Sequence, residues 1–432
     1  MKHLIELIKQ HKSGELTGIY SVCSAHPLVL EAAIRQAKRD NKPVLIEATS
    51  NQVNQDGGYT GMTPSDFVGF VGSIADSVGF DKRQILLGGD HLGPNCWQKL
   101  DAEQAMVKSE ALIASYVEAG FRKIHLDCSM SCAGDSQPLS DEVVAQRAAR
   151  LCQVAEQSWR QAGGEAPVYI IGTEVPVPGG AKESLSAGVE VTKPEAAEKT
   201  ITVHQKAFEQ SGLQQAWQRV IGLVVQPGVE FDHHTVIQYQ REKAHRLSEL
   251  INKYPSMVFE AHSTDYQPDS NYRALVEDHF SILKVGPALT FAMREALFAL
   301  DRVEQEWIAV DKRANLRKTL EQVMREQPGY WRDYYQSSGN QQYLDCAYSL
   351  SDRIRYYWPD QQVENACAKL IDNLNQNPAP LTLLSQYMAE QAKAVSAGEI
   401  DNTPKELIIN KVMEVTKVYA CACSQEHSGH QE

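Results

Sequence analysis

Short, unbroken apolar runs recur along the first 300 residues, and most end in a polar or glycine-rich cluster. They are Thr17–Cys23, Pro43–Ala48, Gln84–Gly89, Lys123–Asp127, Val168–Thr173, Val220–Val225, Met257–Ala261 and Phe280–Val285. A short run with no polar alternation reads as a strand buried on both faces. Segments with helical spacing lie between them: Ile5–Lys12, Leu28–Lys38, a helix opened by Thr63-Pro64, Ala102–Ala119, Asp141–Ala162, Pro194–Gln210, one inside His234–Asn252, and Phe291–Val303. Eight strands alternating with helices predict an α/β fold, a closed (β/α)8 or TIM barrel over residues 1–305. The alternative is an open doubly wound sheet. The barrel is preferred because polar clusters follow nearly every strand, as barrel active sites require.

Beyond Ile308 the strands stop. Arg313–Gln327, Ala366–Asn375, Leu381–Ser396 and Pro404–Val418 predict an α-helical C-terminal extension over 306–432. Aromatics crowd its first half: Tyr330, Trp331, Tyr334, Tyr335, Tyr356, Tyr357 and Trp358, with Arg353 and Arg355 among them. Such residues suit a partner interface. They suit equally the packing of an extension onto its own barrel.

Composition narrows the function. The chain has 432 residues, 43% hydrophobic and 22% charged, with net charge −13. The acidic balance argues against nucleic acid or an anionic membrane as partner. No apolar run approaches the about 20 residues of a membrane span. The N-terminus lacks the apolar core of a signal peptide. Nine cysteines without a framework pattern fit reduced thiols and a cytoplasmic protein. A small phosphorylated ligand stays open, since it needs only a local positive site.

The chemistry is expected at the C-terminal ends of the strands. The central stretch is LLGGDHLGPNCW (86–97), where two glycines precede Asp90 and His91. Asp90 could move a proton and His91 could bind a metal; equally, Asp90 could cap a helix and His91 pack. Other expected rim residues are Ser24, His26, Asn51, Gln52, Asp127 and Gln226. His91, His262 and Glu174 form the best zinc trio, and Asp90 and Glu174 are the candidate catalytic carboxylates. Ser263, Asp265, Lys284, Gly286 and Thr290, after strands seven and eight, are candidates for holding phosphate. Lys284 could form a Schiff base, or pair with a carboxylate or phosphate. His125 and Glu260 lie inside strand runs and read as hydrogen-bonded structural residues. The terminal Cys421, Cys423, His427 and His430 only superficially suggest a metal site. No GxGxxG follows the first strand and no GxxxxGK[ST] occurs, so a nucleotide-binding or kinase reading has no motif behind it.

These stretches resemble the Z subunit family of bacterial D-tagatose-1,6-bisphosphate aldolase. The matching segments include Cys23-Ser-Ala-His-Pro27, IEATSNQVNQ (46–55), GGYTGMTP (57–64), GGDHLGPN (88–95), KIHLDCSMSC (123–132), IGTEVPVPGG (171–180), VVQPGVEFDH (224–233), EAHSTDYQ (260–267), LKVGPALTFA (283–292) and YSLSDRIRYYWP (348–359). The N-acetylgalactosamine-associated branch is the most similar. The resemblance implies a non-catalytic subunit, needed for full activity and stability of a separate zinc-dependent catalytic Y subunit in galactitol, N-acetylgalactosamine and tagatose 6-phosphate catabolism. It also implies distant kinship with class II aldolase barrels. Those carry an Asp-His after strand three, a Glu after strand five, zinc histidines after strands six and seven, and a phosphate loop after strand eight. Asp90, His91, Glu174 and His262 match and are expected to converge in one rim pocket. The strand-six position departs, with Gln226 and Pro227 where the histidine belongs and His233 several residues on. Loss of one of three ligands undermines a catalytic zinc. The alternative is an enzyme in its own right, a metal-dependent aldolase or other sugar-phosphate enzyme.

Overall fold

The computed structural model describes residues 1–176, 180, 181, 185 and 188–424. The eight expected runs are strands: Ile19–Val22, Val44–Thr49, Ile85–Leu92, Lys123–Leu126, Val168–Ile171, Val220–Val225, Val258–Ala261 and Ile282–Val285. All are parallel, each pairs with its sequence neighbours, and the first pairs with the eighth, closing the barrel. Most strand positions are buried on both faces, which is why the runs show no polar alternation.

The third strand departs from its expected bounds in a way that builds the rim. It continues through Asp90 and His91 to Leu92, with its pairing to strand four shifting between Gly89 and Leu92. His91 takes a left-handed backbone, φ 49°. Adjacent residues of a regular strand point to opposite faces; an irregularity re-aims one of them. Asp90 and His91 therefore both face the barrel cavity. Gly88 also matters, because a Cβ there would lie 2.8 Å from Cγ of the buried Glu47.

The surrounding helices start where their caps dictate. Thr63 and Asp66 form a capping box, and Asp101 and Ser140 each accept a backbone N–H from the first turn. Asp269–Glu277 is a barrel helix the spacing did not announce, being short and without a side-chain cap.

After residue 305 the chain is helical, and its buried residues join the same apolar cluster as the barrel layer. The last helix, Pro404–Ala422, packs against Pro27–Asp40, Asp269–Glu277 and Pro287–Trp307. Tyr419 lies 3.0 Å from the Thr264 hydroxyl and its ring 4.2 Å from Tyr272. Leu381–Ser396 is two helices, broken at Met388, whose φ of −143° is not helical. Trp331, Tyr335, Tyr357 and Trp358 are buried, so the packing role accounts for these four aromatics. Among the described residues no helix is long and apolar enough to cross a membrane.

Candidate functional site

The floor of the barrel cavity is a network of buried charges. Lys123 Nζ lies 2.5 Å from Glu47 Oε1 and 2.7 Å from Glu260 Oε2. Lys284 pairs with Glu47, sits 3.0 Å from Asp90 Oδ2, and lies 4.0 Å from Glu260. Lys123, Glu47 and Glu260 are wholly shielded from solvent. Burial opposes each charge, and mutual pairing overcomes it. For Lys284, desolvation lowers the pKa, but Asp90, Cys23, Glu47 and Glu260 together hold it well above the ordinary lysine range. For Asp90, burial raises the pKa, but His91, Lys284, His125 and His262 hold it well below the usual carboxylate range. Lys284 is thus a firmly protonated ammonium, which opposes its use as a Schiff-base amine.

Three imidazoles stand above this floor, with centroids 5.1 to 5.3 Å apart: His91, His125 and His262. Each is tied to a carboxylate. His91 Nδ1 is 2.7 Å from Asp127 Oδ2, His125 Nδ1 is 2.9 Å from Asp90 Oδ1, and His262 Nε2 is 2.9 Å from Glu260 Oε1. Asp127 is held in turn by the Ser129 amide and hydroxyl. Burial lowers His262 to about 4 despite Glu260 and Asp90, so it is neutral near pH 7. His91 moves upward: burial opposes its charge, but Asp90 and Asp127 prevail.

A cavity of about 600 Å³ opens above them, lined by Ser24, His26, Asn51, Gln52, Asp90, His91, His262, Ser263, Asp265, Lys284, Gly286 and Thr290. Several of these side chains are already engaged. His26 Nδ1 accepts the Leu28 amide at 3.3 Å, and Ser24 Oγ accepts the His26 amide at 3.3 Å. Gln52 donates to the Cys23 carbonyl, and Asn51 accepts from the Cys96 thiol at 3.2 Å. Asp265 Oδ1 accepts the amides of Gly286 (3.0 Å) and Ala288 (2.8 Å) at the start of the helix after strand eight. A carboxylate therefore fills the place where such barrels take a phosphate. Thr290 donates to Asp352 at 2.6 Å.

Asp90, His91 and His262 come together as expected, but Glu174 does not join them. It is exposed, and its carboxylate accepts from Thr192 at 2.6 Å. Gln226 is turned onto its own loop, accepting the amides of Gly228 and Val229. His233 does not fold back to replace the missing ligand. It bonds Ser351 Oγ (2.9 Å) and the Tyr334 carbonyl (3.1 Å), clasping the extension. The trio His91, Glu174 and His262 thus does not fit a zinc ion. A different group, Asp90, His125, Glu260 and His262, brings potential ligand atoms within 4.8 Å of one another. Lys284 and Lys123 already occupy Asp90 and Glu260 there. Of the terminal residues, Cys421 is exposed and Cys423 buried, while His427 and His430 lie outside the described residues.

Two members of this site, Glu47 and Lys123, are not among the residues expected from the chain, whereas His125 and Glu260 are buried and hydrogen-bonded as expected. A charged residue inside an unbroken apolar strand was the available signal, because such a charge must be paired.

A closed (β/α)8 barrel with buried acids, lysines and histidines beneath a C-terminal cavity has the architecture of a barrel enzyme or a relative of one. The chain belongs to the family of D-tagatose-1,6-bisphosphate aldolase subunits described as GatZ/KbaZ-like, whose model matches residues 4–424. It is 50% identical to a protein of Sinorhizobium meliloti 1021 described as a probable tagatose 6 phosphate kinase, over 94% of this chain and 100% of that one, with a TM-score of 0.86. The YdjI aldolase from Escherichia coli K12 is 14% identical over 83% of this chain and 94% of that one, with a TM-score of 0.43. The fructose-bisphosphate aldolase of Campylobacter jejuni is 14% identical over 86% and 91%, with a TM-score of 0.45.

Proposed function

We propose that this chain is a non-catalytic subunit of D-tagatose-1,6-bisphosphate aldolase, supporting the activity and stability of a separate zinc-dependent catalytic subunit. One observation carries the reading: the groups an aldolase rim would use are consumed within the protein. Lys284 and Asp90 neutralise each other, Asp265 fills the phosphate position, Glu174 faces away, and Gln226 stands where a zinc histidine belongs. A partner that binds only the folded catalytic subunit stabilises it by mass action, by about 2.7 kcal/mol at 100-fold over Kd. That is a sizeable share of a typical ~5–15 kcal/mol. Assaying tagatose-1,6-bisphosphate cleavage by this chain alone, by the catalytic subunit alone and by the mixture tests it. The chain alone is inactive, and the mixture outlasts the catalytic subunit at elevated temperature.

A second reading, a metal-dependent lyase acting at the same rim, draws on the buried Asp90–His125–Glu260–His262 group. Elemental analysis of the purified chain separates the two. Stoichiometric zinc together with activity alone favours the second.

A further inference from the structure

The cavity lining holds a second cation, Arg355, which has no acid within 4.0 Å among the described residues. Arg355 lies in the one-and-a-half-turn segment Arg353–Tyr357 of the extension and lines the cavity beside Tyr59, Thr60, Tyr356 and Trp358. Its Nη1 donates to the backbone carbonyls of Ser351 and Asp352, and its Nη2 to the Tyr356 hydroxyl at 3.0 Å. Those three bonds fix the guanidinium over the Tyr356 ring, 4.5 Å from its centroid. They leave two of the five N–H donors without a partner among the described residues.

No carboxylate among the described residues takes them up. Two acids act on Arg355 from a distance, and both are engaged elsewhere: Asp352 accepts from Thr290 at 2.6 Å and faces Arg294 at 3.5 Å, and Asp265 accepts the amides of Gly286 and Ala288. Lys284, the other strong cation of the lining, is bound to Glu47 and Asp90. A preorganised guanidinium with spare donors, next to hydroxyls and aromatic rings in a cavity of about 600 Å³, has the chemistry that recognises an oxyanion.

We infer that the cavity mouth binds a small metabolite through a phosphate or carboxylate group held by Arg355, with the body of the ligand against Tyr59 and Trp358. This inference holds whether or not the chain serves a catalytic partner. The anchor comes from the extension, and the lining from both the extension and the barrel, so a bound ligand ties the two together.

Isothermal titration calorimetry on the full chain tests this with four probes: inorganic phosphate, glucose 6-phosphate, gluconate and glucose. The oxyanion probes bind and glucose does not. Preference for glucose 6-phosphate assigns a phosphoester, and preference for gluconate a carboxylate. Arg355→Gln weakens binding at least about tenfold, and Arg355→Lys less, because it keeps the charge and loses the fork. A native chain that binds none of the charged probes overturns the inference, as does an Arg355→Gln variant that binds like the native chain. If Arg355→Gln does not fold, phenylglyoxal labelling of the native chain decides. The bound probe protects Arg355 in peptide mass spectra, and unchanged labelling refutes the site.

Discussion

The floor and the mouth of the same cavity carry charge in opposite ways. At the floor, two lysines and three carboxylates from strands two, three, four, seven and eight neutralise one another within 4.0 Å. At the mouth, Arg355 is held by two carbonyls and a phenol and meets no acid at that distance among the described residues. The charges of the floor are paired with one another, and the guanidinium of the mouth is held by neutral groups. A buried residue type associated with catalysis is therefore no guide to function until its partners are counted. Lys284 and Asp90 lie 3.0 Å apart, so the charge of each has to be read together with the other.

The largest effect should come from breaking the floor. Lys123→Met leaves Glu47 and Glu260 buried with one cation fewer, which costs about 3–5 kcal/mol. Urea unfolding measures it. A loss below about 1 kcal/mol, the range of an exposed pair, would show that the network is solvated rather than buried.

Next is the backbone that shapes the rim. A Cβ on Gly93 would stand 1.8 Å from the Asp127 carbonyl oxygen, so Gly93→Ala must push strands three and four apart. About 3 kcal/mol of destabilisation is expected, together with a displaced Asp127–His91 pair. Thermal melting, with the His91 ring followed by NMR, checks both.

How far the chain announces this arrangement depends on the residue. The strands are legible because parallel barrel strands, covered on both faces, need unbroken apolar runs, and Val220–Val225 is such a run from end to end. Asp90, His91 and His262 are legible because they stand at strand ends. Glu174 also follows a strand but turns outward, since the loop beyond a strand end sets the direction and strand periodicity does not reach it. Arg355 is about 70 residues beyond the last strand, and only tertiary folding carries it to the cavity. His125 and Glu260 looked structural inside their runs. They are structural in the sense of being paired, yet they lie at the centre of the site.

A smaller effect concerns pH. Burial lowers His26 and His204 from 6.5 to about 4. Between those values the unfolded chain binds protons that the folded chain refuses, so stability falls as pH drops from about 6.5 to about 4. His204 is fully buried and accounts for about 3 kcal/mol of that loss at the acid end. His204→Gln should flatten the slope by one proton. Stability that stays level from pH 6.5 to 4 would contradict the assignment.

The most direct test of the account pairs this chain with the catalytic aldolase subunit and replaces His91 by Ala. Aldolase activity is followed against time at elevated temperature, alongside a binding measurement. If the rim is inherited architecture, the variant still binds, and it prolongs activity nearly as the native chain does. If His91→Ala abolishes the activity of the complex while the catalytic subunit remains folded and bound, this chain supplies chemistry and the non-catalytic reading is wrong.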